Sequence, residues 1–194
     1  MLIHELSTVG GLFALLSFWH FVSDWGFQSH NEAMKKASDN HVRARHCTIY
    51  TVLMSPLVYV LCGPTATLWV SLALLWASHF LIDTYIPVYL WAKHIRRAPA
   101  FNTTSEAIDL FSKKKFADDT DLGRLTAMGR DPLGLILMIV VDQVFHLFFL
   151  LPIAALSIWP RNPICYIVTG FMFAFLVIMI VSGSENLRHT EAEN

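Results

Sequence analysis

Long apolar segments, separated by tight turns or by basic stretches, determine what this 194-residue chain can fold into. The segments run over about 9–27, 47–61, 67–91, 133–159 and 164–181. A helix needs roughly 20 apolar residues to cross the hydrocarbon of a bilayer, and four of the segments have about that length. The second is shorter and contains Pro56, which predicts a kink or an earlier start near His41. We therefore predict an all-α, polytopic membrane bundle of about five transmembrane helices.

The composition supports a membrane protein. Only 15% of the residues are charged and 55% are hydrophobic, whereas a soluble domain carries about 25% charged residues. A β-barrel would require alternating apolar and polar residues, which the segments do not have. We therefore treat residues 1–194 as a single integral membrane domain with the lipid bilayer as a partner. The net charge of -1 gives no indication of a nucleic-acid partner.

The basic residues predict how the chain is oriented. Thirteen of the fourteen lysines and arginines fall in the connections 28–45 and 92–132 or in the C-terminal tail, and the other is Arg161. In a five-span chain these three regions share one side of the membrane. Cytoplasmic connections are enriched in Lys and Arg. We therefore expect a multi-pass protein of the inner (cytoplasmic) membrane, with the N-terminus outside and the C-terminus in the cytoplasm.

The long connection, residues 92–132, is predicted to be a cytoplasmic loop with a short helix. Thr103 and Glu106 have the spacing of a capping box, and apolar residues follow them. Lysines at 113–115 come next, so this segment is either a solvated basic surface or a helix lying on the anionic inner leaflet. The loop is also a candidate site for a cytoplasmic protein partner.

Three histidine–aspartate pairs lie inside the apolar segments. They are His20 with Asp24, His79 with Asp83 and, in reverse order, Asp142 with His146. Each pair is spaced i, i+4, which places both side chains on one face of a helix. Ionisable groups are costly to bury in hydrocarbon and usually mark a functional site.

The predicted orientation brings these pairs to similar depths. Segments one and three run inward and segment four runs outward, so each pair lies in the cytoplasmic half of the membrane. His46 opens segment two at the same side. We therefore predict one shared polar site, whose seven candidate metal ligands are His20, Asp24, His46, His79, Asp83, Asp142 and His146.

Imidazole and carboxylate groups predict a divalent metal ion as cofactor. Zinc fits such ligands best, with manganese and iron as alternatives. One ion needs three or four of the seven residues, two ions need most of them, and spare carboxylates would orient histidines. An ion with an open position lowers the pKa of bound water toward ~7, which is the basis of metal-dependent hydrolysis. Asp24, Asp83 and Asp142 are the candidate catalytic residues, since one of them would act as general base.

Two other interpretations fit the same residues. The pairs could form a structural hydrogen-bond network within the bundle. They could also line a proton or ion pathway, as in a non-enzymatic membrane effector or a channel-like homo-oligomer. The sequence leaves the choice between these and a metal-dependent enzyme open.

The order of the motifs resembles that of a known family. The chain contains, in sequence, His20 to Asp24 with Trp25 and Gln28, Lys35 and Lys36, His46 and Tyr50, His79 to Asp83, and Asp142 with Gln143 and His146. This set is similar to small bacterial and phage multi-pass membrane proteins of unknown function, over about residues 18–150. In that family a lysine often follows the third-segment aspartate, whereas Thr84 follows Asp83 here. A looser similarity to membrane-bound metal-dependent hydrolases implies a metal site on the helices.

Overall fold

The computed structural model describes residues 2–37, 39–84, 86–94 and 132–192. These residues form helices joined by turns, which confirms the all-α prediction for this part of the chain. The helices are α1 (Leu2–Trp25), α2 (His30–Lys35), α3 (Asn40–Cys62), α4 (Ala66–Ile82), α5 (Ile86–His94), α6 (Pro132–Ile158) and α7 (Pro163–Ala192).

Helices α1, α3, α4 and α6 pack around one apolar core. Its buried side chains are Val9 and Leu16 of α1, Met54 and Val58 of α3, Leu68 and Leu75 of α4, and Leu150, Ile153 and Ala154 of α6. Val9 and Leu68, near the starts of α1 and α4, thus share this core with residues from the second halves of α3 and α6. Helices α3 and α6 therefore run opposite to α1 and α4, which leaves the other end of the bundle for the polar residues.

Helix α3 begins earlier than the apolar pattern alone indicates. Asp39 is its N-cap, and the carboxylate Oδ1 accepts hydrogen bonds from the backbone N–H groups of His41 and Val42. The second segment therefore has the earlier start near His41, and the helix reaches 23 residues. At its other end Gly63 adopts a φ of 62°, a left-handed conformation that suits glycine.

The third predicted segment, 67–91, is not one helix. Helix α4 ends at Ile82, and Asp83 is its C-cap, with its N–H donating to the carbonyl of His79. The Thr84 hydroxyl donates to the carbonyl of Leu81. Pro87 has no N–H with which to continue the α-helical ladder, so a separate helix, α5, starts at Ile86. The prediction of one continuous span over 67–91 was therefore wrong.

Two of the described helices contain stretches long and apolar enough to cross a membrane, 139–158 and 163–184. The first lies in α6, which begins at Pro132, and the second in α7, which is longer than the predicted 164–181. Helix α4 is apolar but has 17 residues. Five membrane spans are thus not confirmed; two candidate spans are present among the described residues.

The predicted loop helix and most of the 92–132 connection lie outside the described residues. Helix α5 continues to His94, so the start of that connection is helical.

Candidate metal centre

The structure brings all seven predicted site residues into one buried cluster at the polar end of the bundle. None of these residues is more than 5% exposed. Helix α1 contributes His20 and Asp24, α3 contributes His46, α4 and its C-cap contribute His79 and Asp83, and α6 contributes Asp142 and His146. Each i, i+4 pair faces the same interior, as the spacing requires.

Asp24, His46 and His79 form the tightest group within this cluster. Nε2 of His46 lies 2.9 Å from Oδ1 of Asp24 and 3.0 Å from Nε2 of His79. The remaining edge, from His79 Nε2 to Asp24 Oδ1, measures 3.4 Å. Ligands bonded at ~2.1 Å to one ion, at angles near 90–110°, are about 3.0–3.4 Å apart. The three atoms therefore have the mutual spacing of ligands around one divalent ion.

Asp83, Asp142 and His146 form a second group. His146 Nδ1 donates to the carbonyl oxygen of Asp142 over 2.9 Å, because a carbonyl can only accept. In the neutral ring, Nε2 then carries a lone pair, and it faces Oδ1 of Asp83 at 3.6 Å. Two acceptors that face each other repel, so a positive charge nearby stabilises this arrangement.

Several buried atoms of the second group have no hydrogen-bond partner among the described residues. They are His146 Nε2, Asp142 Oδ1 and Asp83 Oδ2. A buried polar atom without a partner is rare and costs roughly 1–3 kcal/mol. These atoms are therefore available to a ligand that supplies positive charge.

Cys47 adds a third combination, with His79 and Asp83, whose potential ligand atoms lie within 4.8 Å of one another. This group shares His79 with the first group and Asp83 with the second. It is therefore an overlapping arrangement and not a separate site.

His20 differs from the other histidines, because both of its ring nitrogens are engaged by protein groups. Nε2 donates to Oε1 of Gln143 over 3.0 Å, and Nδ1 accepts from the hydroxyl of Tyr50 over 2.9 Å. His20 occurs in none of the three potential ligand groups found among the described residues. Of the predicted ligands, it is the one that lies in the cluster but outside these ligand groups.

Two further side chains, Gln143 and Tyr50, hold the cluster together. The amide Nε2 of Gln143 donates to Oδ2 of Asp24 over 3.3 Å and to Oδ2 of Asp142 over 3.2 Å, which links the two groups. The Tyr50 ring lies against the imidazole of His79. The sequence marked Gln143 as a neighbour of the motif and Tyr50 only through the family resemblance.

Lys36 is the member of the cluster that the sequence analysis missed. It follows α2 as C-cap, and its side chain is buried, with Nζ 2.8 Å from Oδ1 of Asp83 and 3.8 Å from Oδ1 of Asp24. From the sequence, Lys36 was counted only as one of the basic residues of a polar connection. Its position in the ordered set of family motifs was the one feature that could have indicated a role in the site.

The short helix α2 that carries Lys36 has a capping box. The backbone N–H and the hydroxyl of Ser29 both donate to the Glu32 carboxylate, and the Glu32 N–H donates to the Ser29 oxygen. These bonds, the backbone N–H first, hold the pKa of Glu32 below its usual value. In the same way the N–H groups of Val42 and His41 lower the pKa of Asp39. Both carboxylates are therefore charged helix caps at neutral pH.

His41, near which the sequence predicted a possible earlier start of the second segment, is exposed at the start of α3. Its backbone N–H donates to Asp39, and it is absent from the potential ligand groups of the described residues. His41 therefore belongs to the helix start and lies outside the cluster.

Residues 12–104, just under half of the chain, match the model of a family described as Protein of unknown function (DUF3307). The matched region contains the cluster residues of α1, α3 and α4 and also Lys36, whereas Asp142 and His146 lie beyond it. No curated protein and no solved structure matches the chain. Residues 12–104 are thus similar to a family whose function is not known.

Proposed function

We propose that this chain is an integral membrane protein whose helices enclose a divalent-metal centre near the cytoplasmic side, and that its activity is metal-dependent hydrolysis. One observation carries the proposal: Asp24 Oδ1, His46 Nε2 and His79 Nε2 converge from three helices with separations of 2.9 to 3.4 Å. Three protein ligands and an open position are typical of catalytic zinc sites.

A structural hydrogen-bond network without a metal ion explains the geometry of the cluster less well than a metal centre does. A purely structural network leaves His146 Nε2, Asp142 Oδ1 and Asp83 Oδ2 buried without a hydrogen-bond partner among the described residues. A half-satisfied polar network is unfavourable in a low-dielectric interior. The charge of a cation bound in the adjacent first group offsets part of this cost, which supports the metal interpretation.

The ligand chemistry favours zinc. The first group offers two imidazole nitrogens and one carboxylate oxygen, a set found in zinc enzymes. The second group adds carboxylate oxygens to the cluster. Manganese and iron are therefore alternatives to zinc, because these ions accept more oxygen ligands.

The residues can be assigned roles in hydrolysis. A divalent ion supplies polarisation of a water molecule and of the bond to be cleaved. Asp24, His46 and His79 hold that ion, while Asp83 is neutralised in part by the nearby ammonium of Lys36. Asp142 has a carboxylate oxygen without a hydrogen-bond partner among the described residues, so we assign it the role of general base.

The surface of α7 supports location in a membrane. Its window 163–184 has only 11% of its residues buried, although it is strongly apolar. Phe171 is 72% exposed and Ile164 is 65% exposed. An apolar surface of this extent requires lipid or a partner chain around it. The basic connection that carries Lys36 lies at the same end as the cluster, which supports the cytoplasmic side.

The alternative of an ion or proton pathway has less support. The core between the same helices, beyond the cluster, is built of aliphatic residues such as Leu16, Met54 and Ile153. Within the described ranges the buried aspartates, histidines, lysine and arginine therefore gather at one end of the bundle instead of following its length. Ion flux in proteoliposomes that disappears in Asp83→Asn would overturn this preference.

Metal analysis of the purified protein tests the centre. After equilibration with zinc and removal of free ions, we expect at least one tightly bound ion per chain and its loss in His79→Ala. His41→Ala is the matched control, because His41 is an exposed histidine of α3, and it should bind as the wild type does. Less than one ion per chain, unchanged by His79→Ala, would contradict the metal centre.

Hydrolysis is tested with the metal-loaded protein. The substrates are an activated phosphodiester and a head-group-labelled phospholipid in mixed micelles. We expect turnover that a chelator abolishes and that Asp142→Asn lowers while the first group still holds its ion. Metal-loaded protein that cleaves neither substrate would contradict the hydrolase assignment and leave the metal centre intact.

Cysteine labelling tests the orientation. In a cysteine-free background, Thr65→Cys and Arg161→Cys place exposed thiols at the turns opposite the cluster, and His41→Cys places one at the cluster end. A membrane-impermeant maleimide should label the first two in intact cells and the third only after lysis. The reverse pattern would overturn the predicted topology.

A further inference from the structure

Lys36 lies between the two potential ligand groups and contacts one carboxylate of each. Its Nζ is 2.8 Å from Oδ1 of Asp83, in the second group, and 3.8 Å from Oδ1 of Asp24, in the first. The residue is 3% exposed. Lysine is rarely buried to this degree unless its charge is paired. The ammonium is therefore part of the interior of the cluster and not of its surface.

We propose that Lys36 is a built-in second cation of this centre, so that the protein binds one divalent ion, in the Asp24–His46–His79 group, and not two. This inference rests on the proposed metal centre and states how many ions it holds and which residue sets that number.

The charges of the cluster support one ion. Metal ligands bind with aspartates ionised and histidines neutral. Asp24, Asp83 and Asp142 then contribute three negative charges, and Lys36 contributes one positive charge. One divalent ion brings the sum to zero, whereas a second would leave two uncompensated positive charges in a buried site. Uncompensated buried charge is strongly unfavourable.

The geometry supports the same conclusion. Oδ1 of Asp83 is the atom that faces His146 Nε2 at 3.6 Å, so an ion in the second group would use this oxygen. The same oxygen is paired with Lys36 Nζ at 2.8 Å. An ion bonded to it at ~2.1 Å would lie no more than about 5 Å from the ammonium. Repulsion between two cations at this distance in a buried site is large.

The other buried cation near this region, Arg43, interacts electrostatically with Asp83 but makes its direct contacts elsewhere. It donates to the carbonyl of Ala37 and to the side chain of Asn40, and its guanidinium lies over the ring of Phe80. Arg43 thus fixes the connection that follows Lys36, while Lys36 makes the direct ion pair with Asp83.

The test is the number of ions bound by Lys36→Met, which keeps the length and loses the charge. Wild type and variant are equilibrated with excess Zn²⁺, passed over a desalting column and analysed for metal per chain. We expect one ion in the wild type and two in Lys36→Met. Lys35→Met is the matched control, because Lys35 is the exposed neighbour on the same short helix, and it should bind one ion.

A second measurement shows where the added ion lies. With Mn²⁺ in place of zinc, two ions in the adjacent first and second groups would give a spin-coupled EPR spectrum, whereas a distant surface ion would not. The coupled spectrum should appear in Lys36→Met and disappear when His146→Ala is added. If Lys36→Met does not fold, as judged by its elution in detergent, Lys36→Gln serves in its place.

The outcomes separate this inference from the proposed function. Two ions in the wild type, or one ion in both wild type and Lys36→Met, would overturn the role of Lys36 and leave the metal centre standing. No bound ion in either protein would overturn the metal centre and this inference with it.

Discussion

The ring of Tyr50 on α3 lies against the imidazole of His79 on α4, with centroids 4.0 Å apart and planes inclined by 18°. The hydroxyl of the same tyrosine donates to Nδ1 of His20 on α1 over 2.9 Å. One buried side chain therefore sets the orientation of two histidines from two other helices. This arrangement allows the two contacts to be removed separately.

We predict that Tyr50→Phe has a smaller effect on metal binding than Tyr50→Leu. Phenylalanine keeps the stacking on His79 and loses only the bond to His20. Leucine also removes the surface that orients His79, and losing such an outer contact typically costs about 10- to 100-fold in metal affinity. Competition with a chromophoric chelator measures both affinities. Equal losses in the two variants would contradict the stacking role.

His20→Asn should keep one bound ion per chain with weakened affinity, whereas His46→Asn should lose the ion. The reason is that both ring nitrogens of His20 are engaged by Tyr50 and Gln143, while Nε2 of His46 faces Asp24 and His79. Metal content after desalting measures the difference. If the single substitution His20→Asn were enough to remove the ion, His20 would be a metal ligand, contrary to this prediction.

The capping box of α2 predicts a pH dependence of stability. The pKa of Glu32 is lowered in the folded protein by bonds from Ser29, so its ionised form stabilises the fold above the ordinary pKa of about 4.3. That contribution is lost as the pH falls through the lowered pKa.

We therefore expect wild type to exceed Glu32→Gln in unfolding free energy at pH 7 by no more than about 0.5 kcal/mol, because solvent screens this partly exposed group. The difference should shrink as the pH falls through the lowered pKa and vanish once Glu32 is protonated in both states. Urea titrations of both proteins in detergent across this range measure it, and titration of Asp39 cancels in the comparison. A difference that grows toward low pH would have the wrong sign.

Gly183→Ala should destabilise the contact between α7 and α5. A Cβ at this position would lie 2.4 Å from Cγ2 of Ile86 and 3.3 Å from Cδ1 of Leu90. Overpacking of this kind costs typically about 1–3 kcal/mol. Thermal unfolding in detergent measures the loss.

Gly170→Ala is the control on the same helix, since nothing lies within 4 Å of its added Cβ. Alanine is favoured over glycine inside a helix by roughly 0.5–1 kcal/mol, so this variant should be as stable as wild type or more so. Adding Ile86→Ala to Gly183→Ala should recover part of the loss. Equal melting temperatures for Gly170→Ala and Gly183→Ala would refute the close contact.

The sequence predicted which residues of the cluster meet, for a simple physical reason. The i, i+4 spacing placed each histidine and aspartate pair on one helix face, and the distribution of basic residues gave the direction of each helix. Together these two constraints bring His20, His79 and His146 to the same end of the bundle, where the structure has them. Their role as ligands remains a prediction.

Other features depend on tertiary contacts that no local pattern encodes. Lys36 lies in a polar connection, where a lysine is ordinarily exposed, and its burial follows from the carboxylates of two distant helices. The apolar pattern did not predict that α4 ends at Ile82, because apolar residues continue beyond it to Trp91. Hydropathy therefore predicts which segments of the chain can be buried, but it does not predict the residue at which a helix ends.

The end of α4 has a mechanical consequence for Asp83. This residue is both a member of the cluster and the C-cap of the helix, and α5 begins at Ile86, three residues later. Ile86 in turn abuts Gly183 of α7. A displacement of α7 relative to α5 would therefore be transmitted to Asp83, because only two residues separate Asp83 from Ile86.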